Sequence, residues 1–271
     1  MLLPAIRPQS ETKHICSFLT KTLKQAQHQK VVVALSGGID SSTSLALSAL
    51  ALGNENVYVL KLPYNQTHPE LLEYAALAIK AYKIPKKNVM ELDIAPAVDK
   101  IWGSILITLS KSQSGNAKDL NQIRLGNVMA RVRMVYLYDT AKANKALVVG
   151  TENRSEELLG YFTRFGDEAS DIEPIKHLYK TQIKELATYL KVPQPIIDQA
   201  PTAGLWQNQT DEAELGFSYE IADQILYLSF EQKKSPAQIT KLLGKQWHKT
   251  VTLVLDRVNS SLFKHHLPYT I

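Results

Sequence analysis

Residues 31–42 read Val31-Val32-Val33-Ala34-Leu35-Ser36-Gly37-Gly38-Ile39-Asp40-Ser41-Ser42, and their order decides the fold. The hydrophobic run of β-branched residues predicts a buried strand. Gly37 and Gly38 have no Cβ, so a ligand can approach their amides closely. Ser36, Asp40, Ser41 and Ser42 are residue types that cap a following helix. Such a turn offers several N–H donors and the positive end of a helix dipole, which together suit phosphate. The Gly-Lys-Ser/Thr of the Walker loop is absent, and so is the dinucleotide pattern G-x-G-x-x-G.

Outward from this stretch, strands alternate with helices. Ile15, Phe18, Leu19 and Leu23 stand near helical spacing and predict a helix over 12–28. Further strands are expected over 57–62, 89–92 and 146–150, after the first at 31–35. Helices are expected over 41–52, closed by Gly53, and over 70–82, ending before Pro85. Others are expected over 95–109, 124–143, 152–161 and 181–190. The polar stretches 110–121 and 204–214 read as loops able to close over a ligand. This alternation implies an α/β fold, a doubly wound, Rossmann-like parallel sheet flanked by helices. Ligands in such folds sit at the carboxyl ends of the strands, where residues 36–41 and Thr151 fall. No linker, repeat or low-complexity tract divides the chain, so residues 1–271 are expected to form one domain.

Composition excludes several classes. The chain is 45% hydrophobic, as expected of a globular protein. Its longest apolar run, near 45–52, is too short to span a bilayer. Met1-Leu2-Leu3-Pro4 lacks a charged segment and a sustained apolar run, so no secretory leader is expected. The lone Cys16 cannot form an internal disulfide, which fits a reducing cytoplasm. Net charge is +5, and residues 231–271 carry seven Lys/Arg against two Asp/Glu. That tail lacks the dense basic and aromatic clustering of a nucleic-acid stripe; a solvated face or a local phosphate ligand explains it. Neither nucleic acid nor a membrane is expected as a partner.

The Ser36-Gly37-Gly38-Ile39-Asp40-Ser41 loop resembles the pyrophosphate loop of N-type ATP pyrophosphatases, of the adenine nucleotide alpha hydrolase-like fold. Three more blocks narrow the resemblance: Gly126-Asn127-Val128-Met129-Ala130-Arg131-Val132-Arg133-Met134, residues 148–167 beginning Val148-Val149-Gly150-Thr151-Glu152-Asn153-Arg154-Ser155-Glu156, and Gln209-Thr210-Asp211-Glu212-Ala213-Glu214-Leu215-Gly216-Phe217-Ser218-Tyr219. Together they are similar to the ammonia-dependent NAD synthetases, from about residue 15 to the C-terminus. The resemblance implies conversion of deamido-NAD (nicotinic acid adenine dinucleotide), ATP and ammonia to NAD, AMP and pyrophosphate through an acyl adenylate. It implies magnesium held by Asp40 and Glu156. It implies ATP contacts from Ala34, Leu35, Ser36, Gly37, Gly38, Ile39, Asp40, Ser41, Thr151, Lys180 and Thr202. It implies deamido-NAD contacts from Arg131, Arg164, Asp171, Phe263 and Lys264, and a homodimer whose substrate site spans two subunits. Asp40, Glu156, Lys180 and Asp171 are the expected catalytic set, with Asp167 or Asp171 the candidate base. Lys180 starts a predicted helix, where its charge opposes the dipole; a bound phosphate would remove the conflict. Glu157 is set aside as a metal ligand because adjacent helical residues point about 100° apart.

The sequence departs from the family pattern at three points. Arg164 stands where lysine is usual, Lys61 where arginine is usual, and Phe263 where histidine is usual. Guanidinium and ammonium place donors differently, so donor placement at Arg164 is open, and the histidine replaced by Phe263 leaves either an altered substrate affinity or a substitute contact from His265. A nitrilase-like glutaminase domain has no room here, so free ammonia is the expected donor, with a separate ammonia-supplying partner compatible. Two rivals stay open at this point: a tRNA-modifying enzyme of the same superfamily, which would need a sulfur-relay cysteine, and an ATP-binding sensor without turnover.

Overall fold

The computed structural model describes residues 2–65, 68–109, 117–206, 209–266 and 269, and side chains at all of these except 107–109 and 117–120. Four strands form one parallel sheet: β1 (Lys30–Ala34), β2 (Val57–Lys61), β3 (Val89–Glu91) and β4 (Ala146–Val149), in the order β3-β2-β1-β4. Register pairs Val31 with Val57 and Val33 with Val149. The strand order reverses between β2 and β4 around β1, so the residues after β1 lie at the switch point where ligands bind in such sheets.

The β1 valines explain why both faces are covered. Side chains alternate across a strand. Val31 and Val33 face a core that includes Ile15, Leu19 and Leu23 of α1 (Pro8–Gln25), Leu45 and Leu47 of α2 (Ile39–Leu52), Ala75 and Ala78 of α3 (Pro69–Ala81), and Ile183 and Leu186 of α7 (Lys180–Tyr189). Val32 faces the opposite core with Val98 of α4 (Ala95–Leu109) and Met129, Val132 and Leu137 of α5 (Ala117–Asn144). All three valines are fully buried, worth about 2 kcal/mol each in transfer free energy. A third cluster joins Leu158 and Leu159 of α6 (Arg154–Leu159) to the C-terminal helices: α10 (Tyr219–Phe230), α11 (Pro236–Leu243) and α12 (His248–Ser261). Two short helices, α8 (Gln194–Asp198) and α9 (Asp211–Leu215), complete the set among the described residues.

The four strands and the helices between them match the sequence expectation, with informative differences at the ends. The α5 helix begins at Ala117, so part of the stretch expected as a loop is helical; residues 110–116 lie outside the described residues. Helix α6 is shorter than the expected 152–161. The Asn153 side chain caps it by accepting from Glu156 N–H at 3.0 Å, and Gly160 closes it in the left-handed conformation at φ 59°.

The loop after β1 is closed by its own serines. Ser41 Oγ lies 3.0 Å from Ser36 Oγ and donates to Gly38 O at 3.1 Å, while Gly38 N–H donates to Ser36 Oγ at 3.2 Å. Ser44 Oγ donates to Gly150 O at 3.1 Å and pins α2 to the end of β4. Gly37 has φ +89°, and a Cβ there would lie 2.1 Å from Leu71 O. Gly37→Ala therefore meets both backbone strain and an immovable carbonyl. Its expected cost is about 3 kcal/mol or more in denaturant unfolding. Gly53→Ala has the same sign of φ but open space, and its expected cost is only about 1–2 kcal/mol.

Candidate active site

A cavity of about 670 Å³ opens at the carboxyl edge of the sheet. Its floor is the end of β1 and the loop, with Ala34, Leu35, Ser36, Gly38, Asp40 and Ser41 on the lining. Thr151, Glu156, Lys180, Thr202, Phe263 and Lys264 line it as well. Gly37 and Ile39 do not: Gly37 backs onto Leu71 and Ile39 packs toward the core.

The chemistry centres on Lys180, the first residue of α7. Its Nζ donates to Asp40 Oδ2 at 2.6 Å and to Glu156 Oε1 at 2.9 Å. Burial works against its charge, but Asp40, Glu156 and Asp211 outweigh burial and hold the ammonium well above the ordinary lysine value. Burial pushes the Glu156 carboxyl up, and the charges of Asp40 and Asp211 add to that rise against the pull of Lys180. The Asp211 carboxyl is raised by burial too. Were all three carboxyls ionised, one ammonium would leave two negative charges unbalanced, and burial drives protons onto Glu156 and Asp211 accordingly. That imbalance, and the hard oxygen donors that create it, fit a magnesium ion completed by phosphate oxygens and water. No set of three or more metal-ligating side chains occurs among the described residues, so the protein alone does not fill a coordination shell.

Neighbouring polar groups orient this centre. The fully buried Asn153 donates from Nδ2 to Asp40 Oδ1 at 3.0 Å while its Oδ1 caps α6, so one amide links both expected metal ligands. Tyr219 donates to Asp211 Oδ2 at 3.2 Å, and Tyr161 to Glu214 Oε2 at 2.9 Å. Glu157 turns away and pairs with Arg154 at 2.7 Å, as helical spacing requires. Sequence reading assigned no role to Asn153, Asp211 or the two tyrosine hydroxyls. The cap preference of asparagine ahead of Glu156 was the one local signal that could have found Asn153.

The far end of the cavity is walled by α5, residues 160–169 and the C-terminal segment. Lys264 Nζ donates to Gly160 O and Phe162 O, both at 2.6 Å, and lies 5.1 Å over the Phe162 ring. Asp167 lines this end, accepts from Thr163 N–H at 2.9 Å, and has its carboxyl raised by burial. Leu205, Trp206 and Gln209 lie on the lining, so the 204–214 segment borders the cavity; residues 207–208 fall outside the described set. Three expected contacts are not brought to the lining. Arg131 Nε donates to Arg164 O at 3.2 Å, and Arg164 Nη1 donates to Phe263 O at 3.2 Å. Asp171 accepts from Val148 N–H at 2.8 Å on an exposed edge.

Fold and site define a class: an α/β nucleotide-binding protein whose phosphate loop faces an ammonium–carboxylate cluster. The NAD synthase family model matches residues 11–268. The chain is 38% identical to the NH(3)-dependent NAD(+) synthetase of Fusobacterium nucleatum, over 94% of this chain and 92% of that protein. It is 39% identical to the one of Pyrococcus furiosus, over 92% and 91%. Among solved structures, the NMN synthetase of Francisella tularensis superposes with a TM-score of 0.81 at 31% identity, covering 98% and 99% of the two chains. The NH3-dependent NAD synthetase of Campylobacter jejuni gives 0.76 at 30% identity, covering 98% and 100%. The chain belongs to the NAD synthase family.

Behind Gly150 lies a second carboxylate group. Glu173 is raised to about 8, by burial first and then by Glu152, which is itself raised to about 7 by burial despite Lys176 at 2.9 Å. A carboxyl whose folded value is raised stabilises the fold only while protonated, and that contribution is lost as pH climbs from the ordinary carboxylate range through about 8. Glu173→Gln mimics the protonated acid. Its melting temperature is expected to match the parent near pH 5 and to exceed it by a few degrees at pH 9, measured by scanning calorimetry. An equal difference at both pH values would contradict the burial account.

Proposed function

We propose that this chain amidates deamido-NAD with free ammonia, using ATP and magnesium, to give NAD, AMP and pyrophosphate through an acyl adenylate. The observation that carries the reading is the facing of the serine-closed Gly37-Gly38 loop and the Lys180–Asp40–Glu156 cluster across one cavity.

A carboxylate resists attack because it is anionic and would have to expel oxide. Adenylation removes both obstacles. A carboxylate oxygen of the nicotinate attacks the α-phosphorus of ATP, the bond to the bridging oxygen breaks, and pyrophosphate leaves. Ammonia then attacks the acyl carbon, the carbon–oxygen bond to AMP breaks, and a proton is lost. The loop amides after β1 and the Lys180 ammonium hold the β and γ phosphates, and Thr151 and Thr202 stand beside them on the lining. Asp40 and Glu156 are the residues that would hold magnesium, which would supply positive charge against the departing pyrophosphate. Those two carboxylates now share Lys180; binding of the triphosphate would let the ammonium turn toward phosphate.

Asp167, lining the acid end, is the base we assign for the ammonia proton; its burial-raised carboxyl suits that role. Phe263 and Lys264 contact the dinucleotide from the tail. Arg131, Arg164 and Asp171 lie outside this cavity, and a second copy meeting α5 would bring such residues to a shared site. The 60% exposure of Val135 on α5, away from the cavity, supports that homodimer. The whole of 1–271 is taken as one synthetase domain working in the cytoplasm. No helix among the described residues is long and apolar enough to cross a membrane.

Incubation with ATP, magnesium chloride, ammonium chloride and deamido-NAD is expected to yield NAD and AMP in equal amounts, with turnover lost when any component is omitted. Folded protein that makes no AMP from deamido-NAD at saturating ammonium would overturn this function. The Francisella tularensis protein is named an NMN synthetase, so nicotinic acid mononucleotide belongs in a parallel arm; faster turnover of that acid would replace the dinucleotide as substrate. Lys180→Ala is expected to lower kcat/KM by about 100-fold or more, since it removes the phosphate-facing cation and leaves Asp40 and Glu156 repelling each other. Val135→Glu, at an exposed position, is expected to shift the sedimentation of the protein toward monomer.

A further inference from the structure

Asp223 stands outside the cavity, on α10, and is fully buried. Its carboxylate gathers donors from two other helices. Ser155 Oγ donates to Oδ1 at 2.5 Å; Thr181 N–H and Thr181 Oγ1 donate to Oδ2 at 2.9 and 2.8 Å. Ser155 Oγ also accepts from Lys180 N–H at 2.9 Å. Ser155 directly precedes Glu156, and Thr181 directly follows Lys180. One carboxylate therefore grips the first turns of α6 and α7 at the residues beside the two groups that face the triphosphate.

The physics gives this grip a specific task. The first turn of α7 directs its Thr181 N–H at the carboxylate and its Lys180 N–H at Ser155 Oγ, which itself donates to that carboxylate, so the positive end of this helix needs an anion there. Asp223 is that anion. It also fixes rotation: a slip of one residue along α7 would turn the Lys180 side chain by about 100°, away from Asp40 and Glu156. A displacement near 1 Å at a phosphate-transfer centre can cost roughly 100-fold in rate.

We propose that Asp223 is a positioning residue for the amidation, acting through Lys180 by holding its ammonium in register with the triphosphate. The inference rests on the function proposed above, but its signature can be read in binding alone.

Asp223→Asn keeps the shape and removes the charge. Compared with the parent, kcat is expected to fall by about tenfold or more and MgATP affinity, by titration calorimetry, by about threefold or more. The KM for the acid substrate should move less than about twofold, because α5, residues 160–169 and the tail hold that half. The decisive arm repeats the MgATP titration in a Lys180→Ala background. If Asp223 acts through Lys180, the Asn substitution changes that affinity by less than about twofold there. A residue that only stabilises the fold would cost the same factor in both backgrounds, and that result overturns the proposal. So does an Asp223→Asn enzyme with unchanged kcat. Where the Asn variant melts below the assay temperature, Ser155→Ala, which cuts one link, is tested in the same cycle against the same two outcomes. Parent protein that binds MgATP yet forms no NAD would defeat the proposed amidation while leaving the binding cycle to decide the role of Asp223.

Discussion

The site depends on one unbalanced electrostatic arrangement. A single buried ammonium, Lys180, faces the carboxylates of Asp40, Glu156 and Asp211. Alone, this cluster is a costly object: burial opposes the charges of Lys180, Glu156 and Asp211, and one positive charge does not balance three carboxylates. Such an arrangement persists only when the scaffold around it leaves no alternative. Here β1 delivers Asp40 through the serine-closed loop, α6 delivers Glu156, α7 delivers Lys180, and Asp211 opens α9. Each group arrives from a different element, so the cluster exists only in the folded chain. Its excess negative charge is the physical reason a cation and a polyphosphate are suitable occupants: together they restore balance and give Lys180 a better partner than either carboxylate.

The sheet makes this possible by placing element ends rather than element middles at one edge. The valines of β1 are buried on both faces, which leaves polar groups to the two ends of the strand, and the carboxyl end opens on the cavity. The clash that any Cβ at Gly37 would make with Leu71 O shows how closely the loop is packed against its neighbour. Tight backing behind the loop and an open cavity before it are two sides of one constraint. The backing fixes the path of the loop, and the Ser36 and Ser41 hydroxyls that hold its amides stand on the cavity lining.

Much of this was legible in the residues. The β-branched run, the glycine pair and the serines predict strand, turn and helix, and the alternation predicts a parallel sheet covered on both faces. The conflict between Lys180 and its helix dipole was readable too, and the structure resolves it with Asp40 and Glu156. What stayed hidden shares one cause, which is distance along the chain. Asp223 meets Ser155 and Thr181 across 68 and 42 positions, and no local periodicity records such a meeting. Asp211 reaches Tyr161 across 50. The separate C-terminal helices α10–α12 were not assigned because their apolar residues serve a cluster with α6 rather than the sheet. The start of α5 falls on Ala117-Lys118-Asp119-Leu120, where the polar character of the surrounding stretch masks good helix formers.

The Asn153 amide has a polarity that the site cannot reverse. Its nitrogen must point to Asp40 and its oxygen to the Glu156 amide. Deamidation, the slow hydrolysis to which asparagine is prone, would exchange that nitrogen for a second oxygen. The product would set a fourth anion against Asp40 in a pocket already short of positive charge, with hardly a change in volume. Chemical ageing at one atom is thus enough to spoil the centre, and what guards against it is the complete exclusion of solvent from that side chain.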